Sequence, residues 1–255
     1  MRFTVAVLAS LAVAAPGAAQ DYHFTKNLSA GDRLEISNIN GHIDVTRASG
    51  RMAEVSVTKT VKKGDGSMVK AIMEEGGSGM HVCTIYINRE PNRRTCNGDN
   101  NNNGRGRDNF EVDMHYVVRV PAGAKLSIDD VNGNVTVTGA DNDSKIETVN
   151  GDITFDGGSA SSLETVNGNI VGTFSRATWD GTMSVETVNG SVELTFPADF
   201  SADISGETVN GGIHSTFPIT IDQGWGPKSF KGRIGGGGRK LRISTVNGGI
   251  TLKKR

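Results

Sequence analysis

Residues 164–170, Glu164-Thr165-Val166-Asn167-Gly168-Asn169-Ile170, are one copy of a phrase that this chain writes repeatedly. The phrase stands again at 147–153, 186–192 and 207–213, and with Ser244 at its head at 244–250. Two looser copies precede these, Asp130-Val131-Asn132-Gly133-Asn134-Val135 and Asn38-Ile39-Asn40-Gly41-His42-Ile43. From Asn132 onward the phrase asparagines fall at 150, 167, 189, 210 and 247, in steps of 18, 17, 22, 21 and 37, the last close to two periods. A recurrence of roughly 20 residues lies at the short end of the range that marks solenoids and arrays.

The segments around each Asn-Gly are short, β-branched and alternating, as in Asn134-Val135-Thr136-Val137-Thr138. Asn-Gly itself reads as a turn dipeptide, since both residues tolerate positive φ. A meander of hairpins needs only that turn chemistry and leaves the fixed Thr before the turn, and the Ile or Val after it, unexplained. Stacking explains both, because like residues then form ladders along an axis. The expected fold is all-β: a β-solenoid or rolled sheet of stacked short strands with Asn-Gly turns. Period-two alternation puts the Leu/Ile-x-Thr-x-Asn set inward, with the Asn side chains satisfying backbone groups at the corner. Glu147, Glu164, Glu186 and Glu207 then face solvent. The valines of the phrase, Val149, Val166, Val188, Val209 and Val246, share the Glu face. They form either a partly exposed apolar stripe or a corner plug. The Glu and Val rows are the candidate interaction surface.

Residues 1–20 read as a signal peptide, with Arg2 as its charge, an apolar run from Val5 to Ala15 and the small-residue zone Pro16-Gly17-Ala18-Ala19-Gln20. That run is too short for a bilayer core of about 30 Å. No cysteine lies near it to carry a lipid, and no later segment reads as a membrane span. The expectation is an exported protein, periplasmic or associated with the cell surface, with residues 21–255 as a single β-repeat domain. Of the 27 Lys and Arg, one is Arg2, which leaves 26 basic against 28 acidic residues and no electrostatic case for nucleic acid. The 34 glycines and few aromatics suit a turn-dense β protein. Cys83 and Cys96 are expected to form one disulfide in an oxidising compartment, since a pair of metal ligands would lack partners.

Strand signals run over 33–39, 42–46, 53–61 and 110–120. Residues 64–109 break the pattern and are expected to be an irregular, disulfide-containing insertion with a polar Asn-rich loop at 97–109. Lys253-Lys254-Arg255 suits a protected edge strand. Asp99-x-Asn101-x-Asn103-Gly104 imitates the start of a calcium loop, but its twelfth position is Phe110, and Arg105 and Arg107 would repel the ion. The run Gly235 to Gly238 lacks the Lys-Ser/Thr of a phosphate loop and reads as a turn. The histidines show no metal spacing, and there is no Gly-x-Ser-x-Gly elbow. Neither a cofactor nor a metal is expected. A row of glutamates about 5 Å apart matches the separation used by retaining glycosidases. Repetition makes those carboxylates equivalent, however, where catalysis needs one of the two kept protonated.

The serial Thr-Val-Asn-Gly-x-Ile phrases, the lead-in Val118-Arg119-Val120-Pro121-Ala122-Gly123 and the ending from Gly232 through Gly238 to Thr245-Val246-Asn247-Gly248 resemble the DUF4097 family. These are bacterial adhesin-like β-strand repeat proteins related to autotransporter-adhesin head domains. The resemblance spans most of the chain past the leader and carries over no catalytic residue. It implies an exported envelope protein with an adhesin-like binding or scaffold role, its partner an envelope or cell-surface protein or glycan. A polysaccharide-active β-helix enzyme and an envelope-stress sensor component are the alternatives.

Overall fold

A computed structural model describes residues 20–87, 95–96, 110–222 and 228–255. The expected signal peptide up to residue 19, the Asn-rich run with its calcium-like spacing, and Trp225 lie outside the described residues. Nineteen strands form among those described. In chain order they begin β1 (Gln20–Asn27), β2 (Arg33–Ser37), β3 (Ile43–Arg47), β4 (Met52–Lys63), β5 (Val69–Gly76), β6 (Gly79–Tyr86), β7 (Glu111–Val120) and β8 (Lys125–Asp129). Two long strands follow, β9 (Val135–Asn150) and β10 (Ile153–Asn167). Then come β11 (Ile170–Phe174), β12 (Thr182–Asn189), β13 (Val192–Phe196), β14 (Ala202–Thr208), β15 (Ile213–Ser215), β16 (Thr220–Asp222) and β17 (Lys228–Ile234). The last two are β18 (Lys240–Asn247) and β19 (Ile250–Lys254).

These strands make a coiled ribbon with two walls. One wall holds the strands that enter each Asn-Gly, with β6 added at one end, stacked in parallel as β6–β2–β8–β9–β10–β12–β18–β14. The other holds the strands that leave it, with β7 added at one end, in parallel as β7–β3–β9–β10–β11–β13–β19–β15. The strands β9 and β10 are long enough to serve both walls, and their pairing slips where they bend between them, from Asp156 to Ser162. Antiparallel strands close the ends: β4 and β1 beyond β7, β5 beyond β6, and β17 and β16 beyond β14. The disulfide Cys83–Cys96 is formed, with Cα atoms 5.6 Å apart.

The rungs do not follow chain order. Asn40, Asn132, Asn150, Asn167 and Asn189 stack in that order, but Asn247 comes next and Asn210 last. The 37-residue step is therefore not two periods along the axis. The chain skips one position, turns back through β16 and β17, and places β18 and β19 between rungs already laid down. Consequently β19 is an inner strand, paired on both sides along Ile250–Leu252, and the edge expected from its lysines is not there. Of residues 64–109, where an irregular insertion was expected, the described stretch Val69–Tyr86 forms a regular hairpin, β5–β6, whose β6 pairs in parallel with β2.

Why the phrase is spelled as it is becomes visible at the corner. Past the first copy, each phrase Gly Cα presses on the glycine carbonyl of the neighbouring rung: a Cβ on Gly151, Gly168 or Gly190 would lie 1.8–1.9 Å from that oxygen. Among the seven phrase glycines only Gly41 has a positive φ, 120°, and no phrase asparagine has one. Glycine is thus required for close backbone approach and not, as the turn chemistry suggested, for conformation. The Thr hydroxyl donates to the same carbonyl. Thr165 bonds Gly151 O at 3.0 Å, Thr187 bonds Gly168 O at 2.9 Å, and Thr245 bonds Gly190 O at 2.8 Å. Asn side chains do not point inward. They are exposed in the repeats and bond one another, each Nδ2 donating to the Oδ1 of the preceding rung at 2.7–2.9 Å. Satisfying the corner backbone falls to the shorter, buried Thr.

Inside, the ladders are apolar. Ile146, Leu163, Val185 and Ile243 stack in one wall, and Ile153, Ile170, Val192 and Ile250 in the other, all at most 1% exposed. Phe155, Phe174, Phe196 and Phe200 run as an aromatic column with centroids 4.0–5.2 Å apart. Trp179 joins it, 5% exposed, its indole N–H on Lys240 O at 2.9 Å. At the far end Lys228 Nζ donates to Gly211 O at 2.9 Å, a glycine carbonyl of the kind that takes a Thr hydroxyl in the inner rungs.

Candidate interaction surface

In the strand before each Asn-Gly the last outward residue is Val. Alternation puts Thr inside and Val outside, and the tight glycine corner gives the Val no turn to hide beneath. Val131, Val149, Val166, Val188, Val246 and Val209 follow one another in rung order, each 37–45% exposed. Of the two possibilities open in the sequence, this is the exposed stripe. Neighbouring rungs are about 4.8 Å apart, so the six valines form a ridge of roughly 24 Å. Its apolar area is on the order of a few hundred Å², the size at which exposed patches on monomers are often functional.

Two residues earlier in each strand runs a second row. Asp129, Glu147, Glu164 and Glu186 are in-register partners across four consecutive strands; Ser244 interrupts, and Glu207 resumes beside it. Ser162 and Ser184 hydroxyls donate to Glu164 and Glu186, at 2.5 and 2.7 Å, and hold those carboxylates in line. Lys145 pairs with Glu147 at 2.6 Å. Like charges at this spacing repel by about 1 kcal/mol per neighbour in water, less in salt. Burial, and then the neighbouring Glu147, push the Asp129 carboxyl above the usual carboxylate range. All nine residues of the expected Glu and Val rows therefore lie on one wall, in two adjacent lines.

The structure also assembles polar groups that are far apart in sequence. On the same wall Ser37 Oγ lies 2.9 Å from His81 Nε2, and His81 Nδ1 lies 3.7 Å from Glu35 Oε2. The order hydroxyl, imidazole, carboxylate is that of a nucleophilic triad. Acyl transfer also needs donors for the oxyanion. Here Ser37 pairs with Asp129, whose carboxylate would oppose a negative charge. Glu74, His81 and Cys96 approach one another closely enough to suggest a metal, but the Cys96 sulfur is committed to the disulfide. Periodicity could not reveal either group, because β6 enters the stack from outside the repeats.

Asp130 occupies the slot that Thr fills in later rungs and is 4% exposed. Neither of its oxygens has a well-aligned hydrogen-bond partner among the described residues. Burial raises its pKa to about 7, against a smaller opposing effect of the Val131 N–H and the Asn38 amide. Beside it Asn38 Oδ1 accepts from Thr84 at 2.9 Å, and the Thr84 and Tyr116 hydroxyls are 2.8 Å apart.

A family profile, Toastrack DUF4097, matches residues 27–253, from the end of β1 into β19. The chain belongs to the Toastrack DUF4097 family. No curated protein matches it. Three solved structures are similar to it at a distance. One is from Clostridium sporogenes, provisionally described as a cell adhesion protein: 9% identity, TM-score 0.46, covering 92% of this chain and 100% of that one. A provisionally described adhesin from Bacteroides fragilis has 10% identity and TM-score 0.38, covering 91% and 97%. A provisionally described lipid binding protein from Parabacteroides distasonis has 11% identity and TM-score 0.34, covering 90% and 96%. Likenesses this distant carry no partner or activity across. The family match agrees with the all-β solenoid seen here, and in this Toastrack chain the Val and Glu rows run side by side along one wall.

Proposed function

We propose that this chain is an exported, non-enzymatic envelope protein that binds a cell-surface or envelope component through the Val ridge and its carboxylate row. The observation that carries this reading is the six-rung line of valines, each 37–45% exposed. Export is supported by the leader-like residues 1–20 and by the disulfide, which suits an oxidising compartment. Among the described residues no helix is long and apolar enough to cross a membrane. The non-enzymatic part is supported by the sameness of Glu164 and Glu186, each held by a serine two residues before it, whereas paired-carboxylate catalysis needs two different environments. Trp179 is buried in the core and unavailable to stack on a sugar.

The test is capture from envelope fractions by the chain and by Val166→Ser/Val188→Ser. Because both side chains are about 39% exposed, the double variant should keep its fold, with unfolding changed by less than about 1 kcal/mol. Capture of the partner should fall. Unchanged capture, or a collapsed fold, would remove the ridge from consideration as a binding surface.

A further inference from the structure

We infer that the ridge and the carboxylate row together receive a basic amphipathic helix of about sixteen residues, presented by a protein partner. This rests on the reading of the ridge as a binding surface and names the partner's chemistry. Two features of the wall select it.

The first is charge. Across the six rungs, the row beside the valines carries five carboxylates, Asp129, Glu147, Glu164, Glu186 and Glu207, and Ser244 is its sole interruption. The next row outward supplies only Lys145 and Arg242. The stacked acids are held in line by the ladder and, at Glu164 and Glu186, by serines, so they cannot spread apart to relieve their repulsion. Burial raises the Asp129 carboxyl first, and the neighbouring Glu147 adds to it. A partner bearing a line of Lys or Arg would relieve the repulsion, whereas an anionic membrane would be repelled.

The second is spacing. The rows run along the stacking axis, perpendicular to the strands, and lie about 7 Å apart because Glu precedes Val by two residues. A helix laid along that axis offers one apolar side chain per turn, every 5.4 Å, close to the rung spacing of about 4.8 Å. An extended strand offers one every 6.6–6.8 Å and falls out of step sooner. The ridge length of roughly 24 Å corresponds to about sixteen helical residues at 1.5 Å each. Such a helix would set an apolar stripe on the valines and a basic stripe on the acids, the mode by which amphipathic helices are commonly bound.

The probe is a fluorescent sixteen-residue helical peptide of Leu and Lys with the two stripes adjacent. It is compared with a scrambled peptide of equal composition, and binding to the full chain is followed by anisotropy. Expected are at least tenfold weaker binding on Val166→Ser/Val188→Ser, at least tenfold weaker on Glu164→Gln/Glu186→Gln, and a steep loss between 50 and 300 mM salt. Equal binding of the scrambled peptide, or indifference to Glu→Gln, would overturn the inference. So would Val-dependent binding to vesicles of three parts phosphatidylcholine to one of phosphatidylglycerol. If envelope capture depends on the valines but ignores the Glu→Gln pair and salt, the ridge still binds and only the helix is wrong. If capture ignores the valines, the underlying reading itself has failed.

Discussion

Replacing Asp130 by Thr should stabilise this protein at neutral and alkaline pH and do little in acid. Five later rungs carry Thr in the equivalent slot, at Thr148, Thr165, Thr187, Thr208 and Thr245, and each hydroxyl bonds the glycine carbonyl of the adjacent rung. Asp130 is as buried as those threonines but brings an ionisable group whose pKa burial raises from 3.8 to about 7. The folded state therefore binds a proton that the unfolded state has already released, and stability falls as pH rises from about 4 to about 7. Above 7 the loss is complete. A rise of about three units at 1.36 kcal/mol each sets it at about 4 kcal/mol at most. Below the unfolded value both states hold the proton and the term vanishes. Asp130→Thr removes the term and adds a hydroxyl able to reach Gly41 O, while Asp130→Asn removes only the charge. Urea unfolding of all three chains at pH 4.5, 6 and 8 gives the answer. The Thr variant's advantage should grow by several kcal/mol between pH 4.5 and pH 8, and the Asn variant's by the same amount from a lower starting level. An advantage independent of pH would show that Asp130 is ionised or solvated in the folded protein, and the reasoning would fail.

Gly168→Ala should cost at least about 3 kcal/mol, since its Cβ would fall 1.9 Å from Gly151 O, in backbone that cannot yield. Gly50→Ala, with nothing within 4 Å, is the control and should change the unfolding midpoint little. Thr187→Val keeps the shape but leaves the Gly168 carbonyl one donor short; a loss of about 1–2 kcal/mol is expected in urea titrations. Reduction of Cys83–Cys96, 13 residues apart, should lower stability by about 3 kcal/mol on the loop-entropy account, read as a shifted midpoint with and without reductant. A fluorophosphonate should leave Ser37 unlabelled by mass spectrometry, because Asp129 opposes the oxyanion that labelling requires.

The ladders were legible in the sequence because stacking in register demands identical residues at identical offsets, and the phrase meets that demand at Thr, Val, Asn, Gly and the following Ile. The chemistry at the corner was harder to read. Asn and Thr can both satisfy backbone, and only the corner geometry assigns that task to Thr and leaves Asn to bond its own neighbours at the surface. Glycine pointed to positive φ when its reason is contact with another rung, which a local turn rule cannot see. The order of the last two rungs was hidden for a related reason. Every copy presents the same faces, so Asn189 could receive either Asn210 or Asn247, and the choice lies in how β16 and β17 return the chain. The Val row was left between stripe and plug because its neighbours along the strand are identical in both cases. Ser37, His81 and Glu35 met without warning, since β6 is no part of the repeat.

Methyl-to-methyl nuclear Overhauser contacts among the valines of the full chain test the stacked ridge most directly. Val188 should contact Val246, and Val246 should contact Val209, each across one rung of about 4.8 Å, with none between Val188 and Val209 at about 10 Å. A direct Val188–Val209 contact, with Val246 elsewhere, would contradict both the order of the rungs and the continuous apolar line built on it.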